Sequence, residues 1–327
     1  MTRVARPTTL TNKTLNRLIL VVGLVLLVGI ALFAFLYWNE RHVDQGGTIA
    51  DRTVTAAEAA VQANPNDVKA RDHLAAAYVT ANRLQDGIAQ FGEALKISAT
   101  DRAALLGRGI AYLKLGQLDA AEADLQKFVA DNGTGEFAKS DPQLQHAYYE
   151  LGVVQLQKGL AADAATTLQK ALAIDAADAD SLYSLGQAFN RTGDAAKAES
   201  VLKLAVAFVP TGWCDPYQEL GTSYTALKQA DGIAWANGMV AFCEGRLDAA
   251  EAALKPLTGG ALKSDALLGL GYVAAQRGDN AGAAAYFNQV LVIDPTNQSA
   301  VIALGSMGAK ASAVPSAAAS PTPEGSN

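Results

Sequence analysis

The strongest constraint on this chain is a spacing. Leu74-Ala75-x-x-Tyr78, Arg108-Gly109-x-x-Tyr112, Leu151-Gly152-x-x-Gln155, Leu185-Gly186-x-x-Phe189, Leu220-Gly221-x-x-Tyr224 and Leu270-Gly271 mark one recurring segment. Phe91 with Ala94, Leu125, Leu168 with Ala171, Leu202 with Ala205, Leu254 and Phe287 mark a second. Ala75 to Gly109, Gly152 to Gly186 and Phe91 to Leu125 are each 34 residues apart. Such an interval accommodates two short helices and their turns, so the 327 residues read as a repeat array instead of two globular domains. Small residues such as Gly109, Gly152, Gly186 and Gly221 let the two helices of a pair approach. Gly116, Gly159, Gly193 and Gly278 stop the first helix, and Pro65, Pro210 and Pro295 end the second. Each pair leaves an apolar face that only the next pair covers, which predicts an all-α stack of helix hairpins.

Two intervals break the period. Leu125 to Leu168 is 43, which places nine extra residues near Glu136 to Leu144 in one loop. Leu202 to Leu254 is 52, which predicts a single inserted helix near Asp231 to Glu244, deprived of the usual stacking partners. Ala50 to Ala63 reads as a lone leading helix and Gln298 to Lys310 as a closing one.

These motifs resemble the tetratricopeptide repeat family, over residues 48–310, and specifically its bacterial membrane-anchored members. The resemblance implies an α-solenoid whose inner groove is lined by the first helix of each pair. Carried onto this sequence, the lining positions are Asp72 and Ala76, Leu106 and Ile110, Tyr149 and Val153, Tyr183 and Gln187, Gln218 and Thr222, and Leu268 and Tyr272. No Lys or Arg stands among them, so the expected ligand is an apolar peptide or helix of a protein partner, gripped by Tyr149, Tyr183 and Tyr272.

Leu18 to Trp38 carries no charge and as a helix would cover roughly 30 Å, a bilayer core. No small-residue cleavage site follows closely, and Tyr37-Trp38 suits an interfacial belt, so the segment reads as an uncleaved single-pass anchor. Arg3, Arg6, Lys13 and Arg17 precede it without an acidic residue, which places residues 1–17 in the cytoplasm and everything after Trp38 outside. Residues 39–47 form a short polar linker, and residues 311–327, rich in Ser, Ala and Pro, read as a disordered tail.

Net charge is −6, which excludes a basic footprint for nucleic acid. With two Cys and three His, a four-thiolate zinc site or iron-sulfur cluster is out of reach. Gly269-x-Gly271-x-x-Ala274 imitates a phosphate-binding loop but falls inside an expected helix, and Asp175, Asp178 and Asp180 lack the spacing of a calcium loop and suit helix capping. His42, His73 and His146 are scattered, and no nucleophile or metalloprotease motif occurs, so the chain reads as a non-enzyme without cofactor or metal. Cys214 and Cys243 sit equidistant from the turn of one expected helix hairpin, so their thiols should meet, and export would permit a disulfide. The expected function is a membrane-anchored scaffold or adaptor at the extracytoplasmic face. The alternative is a chaperone-like assembly factor for secreted proteins or cytochrome maturation.

Overall fold

In a computed structural model the described residues are 20, 21, 26, 28–34, 37 and 48–308. The expected cytoplasmic segment, linker and C-terminal tail, and much of the expected anchor, lie outside them. The described residues between Leu20 and Tyr37 are helical and exposed, and Phe33 stacks on Tyr37 at 6.2 Å. Among the described residues no helix is long and apolar enough to cross a membrane. The chain divides into two compact units, residues 1–97 and 98–327.

The first unit contains α1 (Ile49–Ala63), α2 (Val68–Thr80) and α3 (Leu84–Ile97). Thr48 and Asp51 close a reciprocal capping box on α1, and the Asp67 carboxylate caps α2 by accepting from the Lys69 amide at 2.9 Å. Val54, Leu74, Ala77 and Tyr78 form the core, and the Tyr78 hydroxyl donates to Glu58 Oε1 at 2.7 Å, tying α2 to the leading helix.

The second unit contains α4 (Arg102–Lys114), α5 (Leu118–Asn132), α6 (Pro142–Gln157), α7 (Ala161–Ile174), α8 (Ala179–Thr192), α9 (Ala195–Phe208), α10 (Asp215–Leu227), α11 (Ala230–Cys243), α12 (Leu247–Leu254), α13 (Lys263–Gln276), α14 (Asn280–Ile293) and α15 (Gln298–Ser306). The long loop falls between α5 and α6 and carries a 3-10 turn, Ala138–Ser140. It is tied down by Arg102, whose guanidinium donates to Asn132 Oδ1 at 2.7 Å and pairs with Asp141, the cap of α6.

Close helix approach is what the glycines supply. A Cβ on Gly186 would lie 2.4 Å from Leu202 Cγ, and one on Gly271 2.4 Å from Phe287 Cε1, so any larger residue would force the hairpins apart. Gly238 meets Leu254 in the same way, at 2.9 Å, across α11 and α12. Gly221 does not share this tightness, since a Cβ there would stand 3.7 Å from Ala236.

This pattern corrects the reading of the inserted helix. α11 lies where the insertion was expected, yet it does not lack partners: it packs on α10, α12 and α14's predecessor α13, and buries Trp235, Ala236, Met239, Ala241 and Phe242. The turn before α11 has Lys228 at φ 59°, the left-handed conformation that Gly116, Gly193 and Gly245 adopt at other turns. α11 therefore closes one hairpin with α10 and opens the next with α12, which turns a half-repeat insertion into a shared helix. Near the end of the chain α15 packs on α9, with Ser299 Oγ donating to the Ala207 carbonyl at 3.2 Å.

Candidate protein-interaction face

α8 presents Tyr183 and Gln187 one turn apart, and the Gln187 amide donates to the Tyr183 hydroxyl at 2.8 Å. The Tyr183 ring meets the edge of Trp213 at 5.0 Å, which pins the loop entering α10. Asn190 Nδ2 donates to Glu219 Oε2 at 2.8 Å, and Ser223 Oγ donates to Asn190 Oδ1 at 2.8 Å, so α8 and α10 are locked by amides and a hydroxyl. On α6 the His146 ring stacks on Tyr149 at 6.5 Å and its Nε2 lies 3.0 Å from Glu150 Oε1.

Burial, followed by the neighbouring carboxylates Asp180 and Glu150, pushes the Tyr149 hydroxyl up to about 12. Burial, followed by Asp215 and Glu219, does the same for Tyr183. Both hydroxyls are therefore donors at every physiological pH. Burial and the like charges of Asp178 and Glu150 raise the Asp180 carboxyl. Glu150 is paired with His146, and Asp178 is occupied in capping Ser181 and accepting from Gln145. The face is thus aromatic and anionic.

The groove positions carried over from the family resemblance divide. Ile110, Tyr149, Val153, Tyr183, Gln187 and Leu268 are half-buried, and Gln218 and Thr222 are exposed beside an open depression of about 690 Å³ between α10 and α11. Leu106, by contrast, is buried in the core. Tyr272 is 9% exposed, packed between Phe242 at 6.0 Å and Phe287 at 5.4 Å. Asp72 is buried and Ala76 exposed on the first unit. Trp213, Asn190 and Glu219 were not singled out from the sequence. Trp213 lies in a loop outside the repeat register, and only its being a tryptophan next to Cys214-Asp215-Pro216 could have flagged it.

Gly269 and Gly271 both lie within α13, as helix-packing glycines, and the Asp178 carboxylate caps α8. Among the described residues no group of three His, Cys, Asp or Glu is placed to hold a metal. Cys214 precedes α10 and Cys243 ends α11, and both are half-buried free thiols. Burial, then the Cys214 contact, pushes the Cys243 thiol up to about 12.

No curated protein matches the sequence significantly. Among solved structures, the chain is similar to YrrB, described as a TPR protein with an unusual peptide-binding site, at 19% identity and a TM-score of 0.51, covering 62% of this chain and 99% of that one. It is also similar to MamA from Desulfovibrio magneticus (21% identity, 55% and 97% covered, TM-score 0.49) and to a tetratricopeptide repeat protein from Parabacteroides merdae (16%, 84% and 97%, 0.46). The profile described as tetratricopeptide repeat matches residues 74–136, 106–179, 149–212 and 236–298. The last match begins inside α11, the helix that opens the hairpin with α12. With more than half of the chain matched and the hairpins in place, the protein belongs to the tetratricopeptide repeat family.

Proposed function

We propose that this protein is an interaction scaffold that captures an extended or helical segment of a partner protein on the face of α6, α8 and α10. Tetratricopeptide repeats mediate protein–protein interaction, which supports the general reading. The observation that carries the specific one is the half-buried pair of Tyr183 and Trp213 on α8 and the loop before α10, with Tyr149 on α6, beside the carboxylates Asp180, Glu150, Asp215 and Glu219, which outnumber the one arginine, Arg191, that acts on Tyr183. Rigid aromatic rings supply contact area at low entropic cost, and the carboxylates favour a segment that carries a basic residue beside its apolar ones. The residues Leu18 to Trp38 anchor the scaffold in a membrane with the repeats on the extracytoplasmic side, a reading supported by the uncharged run and its basic N-terminal flank.

Crosslinking in membranes followed by mass spectrometry identifies the captured segment. Replacing Tyr149 and Tyr183 with Ala should weaken capture by about 2 kcal/mol each, as at an interface hot spot. Unchanged capture per folded molecule removes this face from the interaction.

A further inference from the structure

The last described helix lacks the partner that its sequence is built for. Leu304-Gly305 on α15 stands 34 residues after Leu270-Gly271, so α15 is the first helix of one more hairpin. At Gly186 and Gly271 the space of the missing Cβ is filled from the second helix of the pair, by Leu202 and Phe287, each sixteen residues on. A Cβ on Gly305 would meet nothing within 4 Å among the described residues. Sixteen residues after Gly305 the sequence has Pro321, between Pro315 and Pro323, and a helix interior does not accept proline. The chain itself therefore offers α15 no second helix.

The face left open is apolar and uncharged. Gln298, Val301, Ile302 and Gly305 are exposed on α15 at the i, i+3, i+4, i+7 spacing of a helix–helix seam, with Ile302 at 68%. Beside it an apolar cavity of about 370 Å³ opens among Phe208, Tyr272, Phe287, Ile302 and Met307. From Asn280 to Gly308 the one charged residue is Asp294, in a chain that is 18% charged with a net charge of −6. The terminal unit of a soluble solenoid normally turns a polar side outward, so a stack that ends on this face requires a cover.

The cover that fits is a helix which is itself apolar, uncharged and able to approach closely, and α15 has those properties. A twofold axis across α15 sets two copies of it antiparallel, the sense in which the two helices of a hairpin run. Centred between Val301 and Ile302, the axis lays the Gln298 end of one helix over the Gly305 end of the other. We infer that this chain forms a twofold dimer through α15, in which each copy's helix takes the place of the second helix that the other's last hairpin lacks. Gly305 allows the close approach, and Val301 and Ile302 supply the apolar contact. Two acidic molecules meet there without bringing like charges together, whereas a partner with a charged face would bury its charges unpaired.

The test is sedimentation equilibrium of the full chain at micromolar concentration in a density-matched non-ionic detergent, with disulfide crosslinking in membranes alongside. The expected result is a dimer, and I302E should raise its dissociation constant by about tenfold or more, because it sets an unpaired carboxylate in the contact. Ile302 is exposed in the single copy, so this variant should keep its circular-dichroism spectrum and Tm. In a C214S, C243S chain treated with an oxidised dithiol, I302C should give a covalent dimer, and T166C, exposed on α7, should not. A monomer overturns the inference: a dimer gained on deleting residues 309–327 would then assign the face to that segment, and flotation with phosphatidylcholine vesicles that I302E abolishes would assign it to lipid. A dimer indifferent to I302E, an assembly larger than a dimer, or equal crosslinking from the two cysteine positions overturns it as well.

Discussion

Glycines at matching repeat positions do different work, and the difference is little more than an ångström of clearance to the partner helix. At Gly186 the missing Cβ is space that Leu202 occupies, so G186A should destabilise by about 1–3 kcal/mol through overpacking, read as a lower Tm. At Gly221 the same substitution meets only ordinary contact with Ala236 and removes a helix-interior glycine, so G221A should leave Tm unchanged or raise it by up to about 1 kcal/mol of stability. Sequence pattern treats the two positions alike, and only the partner helix separates them. His146 adds a pH-dependent contribution at this scale. The Glu150 carboxylate, as hydrogen-bond acceptor, raises its imidazole above the ordinary 6.5. A raised folded-state value means that stability is fully present below 6.5 and is lost as pH rises through the folded-state value. The gain is modest because the ring is about half exposed. NMR titration of the imidazole should place its midpoint above 6.5, and H146Q should remove that step from the pH dependence of Tm.

Among the elements, α11 is the one whose role changed most between pattern and structure. Its interval from the preceding repeats announced an extra helix, and its position was legible from the turn residues. That it serves two hairpins was not, because Trp235, Met239 and Phe242 on one helix satisfy both neighbours only when α10 and α12 are already in place. G238A should therefore destabilise, through Leu254, where G221A does not; equal effects would return α11 to the status of an unpaired insert. Cys214 and Cys243 stand at the open end of the α10–α11 hairpin, near enough for the Cys214 thiol to help raise that of Cys243. Exposed to an oxidised dithiol, the pair should form a disulfide that closes a loop of about thirty residues and contributes roughly 3 kcal/mol on the chain-entropy account. Non-reducing mass spectrometry checks it, and two freely alkylated thiols after oxidation would show that the Cys243 thiol, held protonated near 12, does not react.

For the whole molecule, the charges flanking Leu18 to Trp38 set the expected topology. Protease added to spheroplasts should degrade the protein after Gly47 and spare the segment before Leu18, and protection of the repeats would place them in the cytoplasm. The helix hairpins, their turns and the family were legible in one dimension, because a solenoid is held together by neighbours in sequence: Gly186 needs only Leu202, sixteen residues on, and Asp178 caps α8 with its own carboxylate. What depended on tertiary structure involves residues far apart in the chain or outside the period. Tyr272 and Leu106 occupy groove positions by register yet are buried, since the aromatic rings of Phe242 and Phe287 close over the first. Trp213 reaches Tyr183 from a loop. Periodicity records which face of a helix is apolar, whereas the curvature that brings one face against another is decided by side-chain volumes summed across the stack.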